Sequence, residues 1–199
     1  MSPSRTNAKE WLLEATMDYV RKNGVGDLTL RQLAAAVGTS HRMLVYHFGS
    51  KEGLFIEVIR SVEAEQVQAL EALVSDATLS PLDQLRQMWQ RLADPSLAPN
   101  ERLFFEVYGQ ALQGRPHTEL VLEAREAWIE PGAVIARRLG IPAMHSRAHA
   151  RLWVAVTYGL LLDLLGTGDR DSVNAALQQF LGLYQVSETP KAPRKRPAK

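Results

Sequence analysis

The sequence contains no cysteine among its 199 residues. Disulfide bonds and thiolate metal sites are therefore excluded, which suits a reducing compartment. No apolar run approaches the roughly 20 residues that a membrane-spanning helix needs, because Asp163 interrupts the best one, around Leu160. Residues 1–10 are polar and lack the apolar stretch of a signal peptide. We expect a cytoplasmic protein that has no membrane partner.

The common sequence signatures of catalysis are absent as well. There is no Gly-x-Ser-x-Gly and no glycine loop for phosphate, and these motifs mark hydrolases and nucleotide-binding enzymes. His145 and His149 are four residues apart and would share one helix face, but no further ligand accompanies them as a metal site requires. We expect no enzymatic activity, no cofactor and no bound metal.

Charge is distributed unevenly along the chain. Residues 1–60 carry eight basic and six acidic side chains, whereas residues 61–186 carry ten basic and fifteen acidic ones. Residues 187–199 hold five basic side chains and one acidic side chain, among prolines, which predicts a disordered basic tail. An acidic body repels DNA, so nucleic acid is expected at the N-terminal end. The tail is interpreted either as an auxiliary grip on phosphates or as a solubilising end.

Apolar residues recur with helical periodicity nearly everywhere, and strand-like alternation is nearly absent. This pattern predicts an all-α fold of about nine helices. The expected helices after the first, which should stop near Gly24, are 30–37, 40–46, 50–74, 81–93, 100–112, 118–139, 143–165 and 172–185. Pro131 and Gly132 lie inside one of them and predict a kink or a split there.

Residues 29–54 have the pattern of a helix-turn-helix. Thr29 and Gln32 form the capping box of a short helix, Gly38 makes the turn, and Thr39 or Ser40 caps the next short helix. Six residues are predicted to face inward: Leu30, Leu33, Ala34, Val37, Met43 and Leu44. Four polar residues remain for the exposed face of a helix that is short enough to enter a major groove: Ser40, His41, Arg42 and Tyr46.

This segment resembles the DNA-binding signature of the TetR family of repressors. The matching residues, in order and spacing, are Gly38, Ser40, Leu44, His47, Phe48, Ser50, Lys51, Glu52 and Leu54. Two positions depart from the family pattern. Val45 stands where a tyrosine is usual, with Tyr46 one place later, and Arg42 stands where a small residue is common. Arginine is the side chain that most often reads guanine, so Arg42 is a candidate base contact.

The resemblance implies an N-terminal DNA-binding domain, residues 1–50, and a helical ligand-sensing and dimerisation domain, residues 51–186. It implies that Thr29 and Lys51 contact backbone phosphate and that His47 and Phe48 are mainly structural. The candidate DNA-binding residues are Thr29, Thr39, Ser40, His41, Arg42, Tyr46 and Lys51. The expected partners are double-stranded operator DNA, a small-molecule effector and a second copy of the chain.

Two residue sets in the second domain follow from the same resemblance. Aromatic side chains that combine an apolar face with polar edges suit an effector pocket, although an aromatic at helical spacing also suits a core. The candidates for ligand binding are Trp89, Phe105, Tyr108 and Trp128. The candidates for a four-helix dimer interface, which also suit an intrachain core, are Leu152, Val156, Gly159, Leu160, Val173, Leu177, Phe180, Leu181 and Tyr184.

The hypothesis from sequence is therefore a ligand-responsive repressor. Its dimer would bind a near-palindromic operator, and a small molecule would release it. Two alternatives stay open: an activator of the same fold, and a small helical carrier or enzyme with a vestigial helix-turn-helix.

Overall fold

In the computed structural model, residues 5–24, 28–113 and 118–185 are described. Within these ranges the chain forms nine α-helices and no strand. The basic tail predicted for residues 187–199 lies outside the described residues. The helices are α1 (Arg5–Asn23), α2 (Leu30–Ala36), α3 (His41–Phe48), α4 (Lys51–Ser75), α5 (Pro81–Leu92), α6 (Ala98–Leu112), α7 (Thr118–Arg138), α8 (Ala143–Thr167) and α9 (Arg170–Gln185). A 3₁₀ turn, Pro95–Leu97, precedes α6. The all-α prediction is confirmed.

The helix starts follow the capping residues that the sequence contains. The Thr29 hydroxyl accepts a hydrogen bond from the amide of Gln32 (3.3 Å), and the Gln32 side chain accepts one from the amide of Thr29 (2.8 Å). Ser80 caps α5 in the same way, and Pro81 occupies the first helical position, where its missing N–H costs no intrahelical bond. These local signals explain why the predicted and observed starts of α2 and α5 agree.

Two apolar cores are joined by the long helix α4. The first core packs α1, α2, α3 and the N-terminal half of α4 against α6, and Leu12, Leu33, Leu44 and Leu54 are almost fully buried in it. The second core joins the remainder of α4 to α5, α7, α8 and α9. A displacement of α4 therefore acts on both cores, because close-packed interiors transmit strain.

The end of α4 is fixed by side chains of α5 and α7. The buried Gln84 side chain donates to the carbonyls of Leu73 (2.6 Å) and Asp76 (3.1 Å). Arg138 donates to the Val74 carbonyl and to Gln84 Oε1, both at 3.1 Å. Because the last carbonyls of a helix lack intrahelical donors, these bonds satisfy the end of α4 and hold α5 and α7 against it.

The predicted split at Pro131 does not occur, since α7 is assigned as one helix from Thr118 to Arg138 with Pro131 inside it. The neighbouring glycine has a packing role instead. A Cβ on Gly132 would lie 3.0 Å from the Cβ of Ala150, so glycine allows close approach of α7 and α8. Pro131 itself is buried within α7.

Candidate nucleic-acid interface and effector cavity

The position of α3 is fixed by a cap, a buried face and a glycine. The Ser40 hydroxyl accepts from the amide of Met43 (3.2 Å), and Leu44 and Phe48 are buried against the first core. The helix ends at Gly49, whose φ of 76° lies in the left-handed region that favours glycine. Ser50 then caps α4 by accepting from the amide of Gly53 (3.0 Å). These contacts fix the angle between α3 and α4.

The solvent-facing side of α3 is partly apolar. His41 and Arg42 are exposed as predicted. Met43 is 39% exposed, so its predicted inward orientation is wrong. Val45 and Tyr46 are also exposed, at 38% and 54%. An exposed cation beside exposed apolar groups on one short helix suits a major groove, where arginine contacts guanine and apolar groups contact the thymine methyl.

The remaining candidates for DNA contact lie around the ends of α2, α3 and α4. Thr29 and Ser40 are exposed caps, and Thr39 is half-buried in the turn between α2 and α3. Lys51 begins α4, with its Nζ 5.3 Å from the centre of the Phe55 ring. Helix N-termini attract anions, so these residues stay candidates for phosphate contact.

A separate cavity lies among α4 to α9. It holds about 780 Å³ of space that protein atoms do not fill, part of it open to solvent, and its lining is largely apolar. Of the four side chains proposed from sequence, Trp89 and Trp128 line it. Phe105 and Tyr108 do not line it, and both instead stack on Tyr158, with ring centres 5.8 and 6.1 Å away. Phe105 and Tyr108 would therefore act on a ligand only indirectly, through their contacts with Tyr158.

Both tryptophans already have hydrogen-bond partners within the chain. Trp89 Nε1 donates to Asn174 Oδ1 (2.8 Å), and Trp128 Nε1 donates to Glu63 Oε2 (2.9 Å). They therefore offer a ligand their ring faces, since an indole has one N–H to donate.

The sequence interpretation missed two carboxylates that line the cavity, Glu63 of α4 and Glu101 of α6. Desolvation raises the pKa of Glu63, and the hydrogen bond from Trp128 offsets this in part. Desolvation and the nearby charge of Glu63 raise the pKa of Glu101 to about 8. The sequence signal for these two carboxylates is their helical spacing from apolar residues. Glu63 follows Ile59 by four residues and Glu101 precedes Phe105 by four, which puts each carboxylate on an apolar helix face.

Residues 12–58 match the family model described as bacterial regulatory proteins, tetR family. Over this segment, about a quarter of the chain, the sequence is similar to the TetR family. Over 78 residues it is 32% identical to the HTH-type transcriptional regulator BetI of Stenotrophomonas maltophilia, a stretch that covers 39% of this chain and 40% of that protein. The sequence match thus spans less than half the length of this relative, and the TetR signature lies in the helix-turn-helix segment.

Solved structures of TetR-family regulators share the whole fold. A TetR transcriptional regulator from Legionella pneumophila superposes with a TM-score of 0.71 at 20% identity, covering 92% of this chain and 98% of that one. FadR of Thermus thermophilus, described as a transcriptional repressor in complex with lauroyl-CoA, gives a TM-score of 0.65 at 17% identity and covers 96% and 100%. At these identities the likeness shows the fold alone.

The faces that α8 and α9 expose differ from the predicted interface. Val173, Leu177 and Leu181 are 1–6% exposed and belong to the second core. The prediction is therefore corrected for these three, because a side chain buried within one chain is unavailable to a second copy. Leu152 and Gly159 are exposed as an interface requires. The four remaining candidates are half-buried: Val156, Leu160, Phe180 and Tyr184.

A different set of apolar side chains is exposed on α8 and α9. On α8 the exposed small and apolar residues alternate at spacings of four and three: Ala148, Leu152, Ala155, Gly159, Leu162 and Gly166. On α9, Ala176 and Leu183 are exposed. By length and composition alone α8 is apolar enough to cross a membrane, and 22% of its most apolar window is buried within the chain. The helix thus has an uncovered apolar face.

Proposed function

We propose that the chain is a dimeric transcriptional repressor that binds operator DNA through α3 and is released by a small molecule bound in the cavity. The observation that carries the proposal is the exposed side of α3. On this helix of eight residues, Arg42, Met43 and Tyr46 are exposed. A DNA-binding regulator of this kind acts in the cytoplasm. The similarity of residues 12–58 to the TetR family and the fold shared with FadR, a transcriptional repressor, support repression over activation.

On DNA, α3 enters the major groove with Arg42 directed at a guanine. Met43 and Val45 meet thymine methyl groups, which apolar side chains contact favourably. Thr29 and Lys51 hold the flanking phosphates, and these contacts set the register of the helix without reading sequence. The family usually carries a tyrosine at the position of Val45. Tyr46, which follows it by one residue on α3, takes over the role of that tyrosine.

Dimerisation occurs through the uncovered face of α8 and α9. The exposed apolar residues of α8 recur at alternating spacings of four and three, which keeps them on one face toward a partner helix. The glycines at 159 and 166 on this face permit close approach of the two copies of α8. An eight-residue helix contacts few bases, whereas two copies related by a two-fold axis read half-sites about one DNA turn apart.

The helix α4 couples the cavity to the DNA. Lys51 and Glu63 lie on this one helix, and twelve residues at 1.5 Å each place them about 18 Å apart along it. Lys9 of α1 pairs with Glu57 (3.1 Å), and Arg60 pairs with Glu123 of α7 (3.5 Å). An effector that moves Glu63 shifts α4 and changes the distance between the two copies of α3. A coupling free energy of about 1–3 kcal/mol is typical of such regulators.

The proposal is tested with a labelled duplex selected by the wild-type protein from random DNA. Arg42→Ala should weaken binding to this duplex by about 1–3 kcal/mol and relax the preference at one base pair. Lys51→Ala should weaken binding to all duplexes and reduce the salt dependence by about one counterion. Arg147→Ala is the matched control, because Arg147 is exposed on α8 and pairs with Glu126 and Glu130.

Fluorescence anisotropy measures these affinities. If Arg42→Ala and Lys51→Ala bind the duplex as tightly as the Arg147→Ala control, α3 does not read DNA in the proposed way. That result would favour the alternative of a helical carrier with a vestigial helix-turn-helix.

A further inference from the structure

One end of the cavity is acidic and lacks a compensating cation. Glu63 is half-buried and accepts a hydrogen bond from Trp128. Glu101 is 6% exposed and forms no hydrogen bond or ion pair with any residue that the structure describes. The described residues that line the cavity include no lysine, arginine or histidine. Burying a carboxylate without a partner is costly, so this arrangement disfavours the empty cavity with both groups ionised.

Tyr158 of α8 and its neighbours complete the polar surroundings of the two carboxylates. Its hydroxyl is buried without a hydrogen-bond partner among the described residues, and desolvation and the negative charges of Glu63 and Glu101 raise its pKa. Tyr108 of α6 and Arg125 of α7 also act on Tyr158. No ion pair joins Arg125 to either carboxylate within the described ranges, and its Nε is buried there without a partner. Glu101 and the Tyr158 hydroxyl thus line the cavity without a hydrogen bond from any described residue, and Glu63 accepts one from Trp128.

The rest of the lining is apolar and aromatic except for Thr157. Met88, Trp89, Trp153 and Leu161 are each about 95% buried or more, and all line the same cavity. Tryptophan and tyrosine rings attract cations through their faces, and the attraction grows when the cation is desolvated. An anionic ligand meets two acids here, and a neutral apolar ligand leaves them unpartnered.

We propose that the cavity binds an apolar molecule carrying one ammonium or delocalised cationic group, which lies between Glu63 and Glu101 beside Tyr158. The inference rests on the proposed function, in which this cavity holds the effector. The apolar part of the ligand occupies the space between α5, α8 and α9. Pairing with the cation compensates the buried carboxylates, and the ring of Trp128 covers the charged group.

Binding of a permanent cation is accompanied by proton release. In the empty cavity at neutral pH, Glu101 is mostly protonated because burial raises its pKa to about 8. A quaternary ammonium group cannot accept the proton, so Glu101 loses it to solvent when the ion pair forms. Affinity therefore increases with pH below about 8, by at most about tenfold per pH unit for one proton released.

The test uses three probes with the same decyl chain: decyltrimethylammonium, decanoate and decanol, each below its micelle concentration. Calorimetry and tryptophan fluorescence report binding to the full chain without DNA, since three of the four tryptophans line the cavity. The wild-type protein should bind the cation at least about tenfold more tightly than the alcohol, as about 1.4 kcal/mol of ion pairing would give. Decanoate should bind most weakly.

Three variants assign the preference to the carboxylates. Glu101→Gln and Glu63→Gln should each lower the affinity for decyltrimethylammonium at least about tenfold, without lowering that for decanol. Glu101→Gln should also remove most of the pH dependence. Glu106→Gln, an exposed position on the same helix as Glu101, removes one negative charge outside the cavity and should behave as wild type.

The inference is overturned if decanol or decanoate binds wild type as tightly as the cation, if the cation does not bind, or if both Gln variants retain its affinity. Circular dichroism checks that each variant is folded, and the comparison of probes on wild type decides the question if a variant is not. Because no DNA is present, a failure here leaves the DNA-binding proposal standing, and a failure to bind DNA leaves this result unaffected.

Discussion

The buried Glu101 should make the stability of the protein fall as the pH rises. In the unfolded chain this carboxyl titrates near its ordinary value of 4.5, whereas in the folded protein desolvation and the charge of Glu63 raise its pKa to about 8. Between these two pH values the folded state binds one more proton than the unfolded state. The free energy of unfolding therefore decreases with pH in this window.

The size of the effect follows from the two pKa values. At about 1.4 kcal/mol for each tenfold change in acid dissociation constant, moving the pKa from 4.5 to about 8 corresponds to about 5 kcal/mol. This contribution is fully present below pH 4.5 and is lost as the pH rises through about 8. Glu101→Gln has no proton to lose and should remove the contribution of this residue to the dependence. Glu63, whose pKa is raised by burial, contributes a slope of the same sign, which remains in the variant.

Urea unfolding at a series of pH values and fixed protein concentration measures this slope. Wild type and the exposed-site variant Glu106→Gln should lose stability in parallel between pH 5 and pH 8, and Glu101→Gln should lose much less. If Glu101→Gln shows the wild-type slope, Glu101 is ionised in the folded protein, and the burial argument for this residue is wrong.

Three further changes test other parts of the structure. Gly53→Ala should lower stability by about 1–3 kcal/mol in a thermal melt, because a Cβ there would overlap the carbonyl oxygen of Phe48. Leu162→Glu should convert the proposed dimer to a monomer in size-exclusion chromatography with light scattering, because it places a charge in the exposed seam of α8. Trp128→Phe should raise the pKa of Glu63 further, measured by NMR titration, because it removes the hydrogen bond that lowers that pKa.

The first two of these changes have matched controls, and each of the three has a contradicting result. Gly109→Ala is the control for Gly53, since a Cβ at Gly109 meets no atom within 4 Å, and equal melting temperatures for the two variants would exclude the clash. Met144→Glu, at a position 83% exposed near the start of α8, should leave the dimer intact. A dimeric Leu162→Glu protein would exclude the proposed seam. An unchanged or lowered Glu63 pKa in Trp128→Phe would exclude the role of the indole hydrogen bond.

The helix-turn-helix could be predicted in detail because its signals are local. Thr29, Ser40 and Ser50 are capping residues whose function depends on amides two or three residues away. Gly38 and Gly49 have positive φ values that few other residues adopt. The apolar character of Met43 predicts an inward orientation, and its exposure of 39% shows that this local rule fails there.

The second domain could be predicted only as helices, because its site depends on how distant helices meet. Both α8 and α9 are apolar on more than one face, so periodicity could not separate the core face of Leu177 from the exposed face of Leu183. Glu101 is one of many acidic residues in sequence. It becomes a distinctive group only when α6 places it beside Glu63 of α4 in the cavity.

The central claim, that two copies of α3 read DNA as a symmetric pair, is tested most directly by selecting bound duplexes from random DNA at near-physiological salt. The account predicts a two-fold-symmetric motif with half-sites centred about 10 base pairs apart, or a multiple of this spacing, bound by an even number of chains. Recovery of a single asymmetric half-site, or of DNA without any common motif, would contradict it.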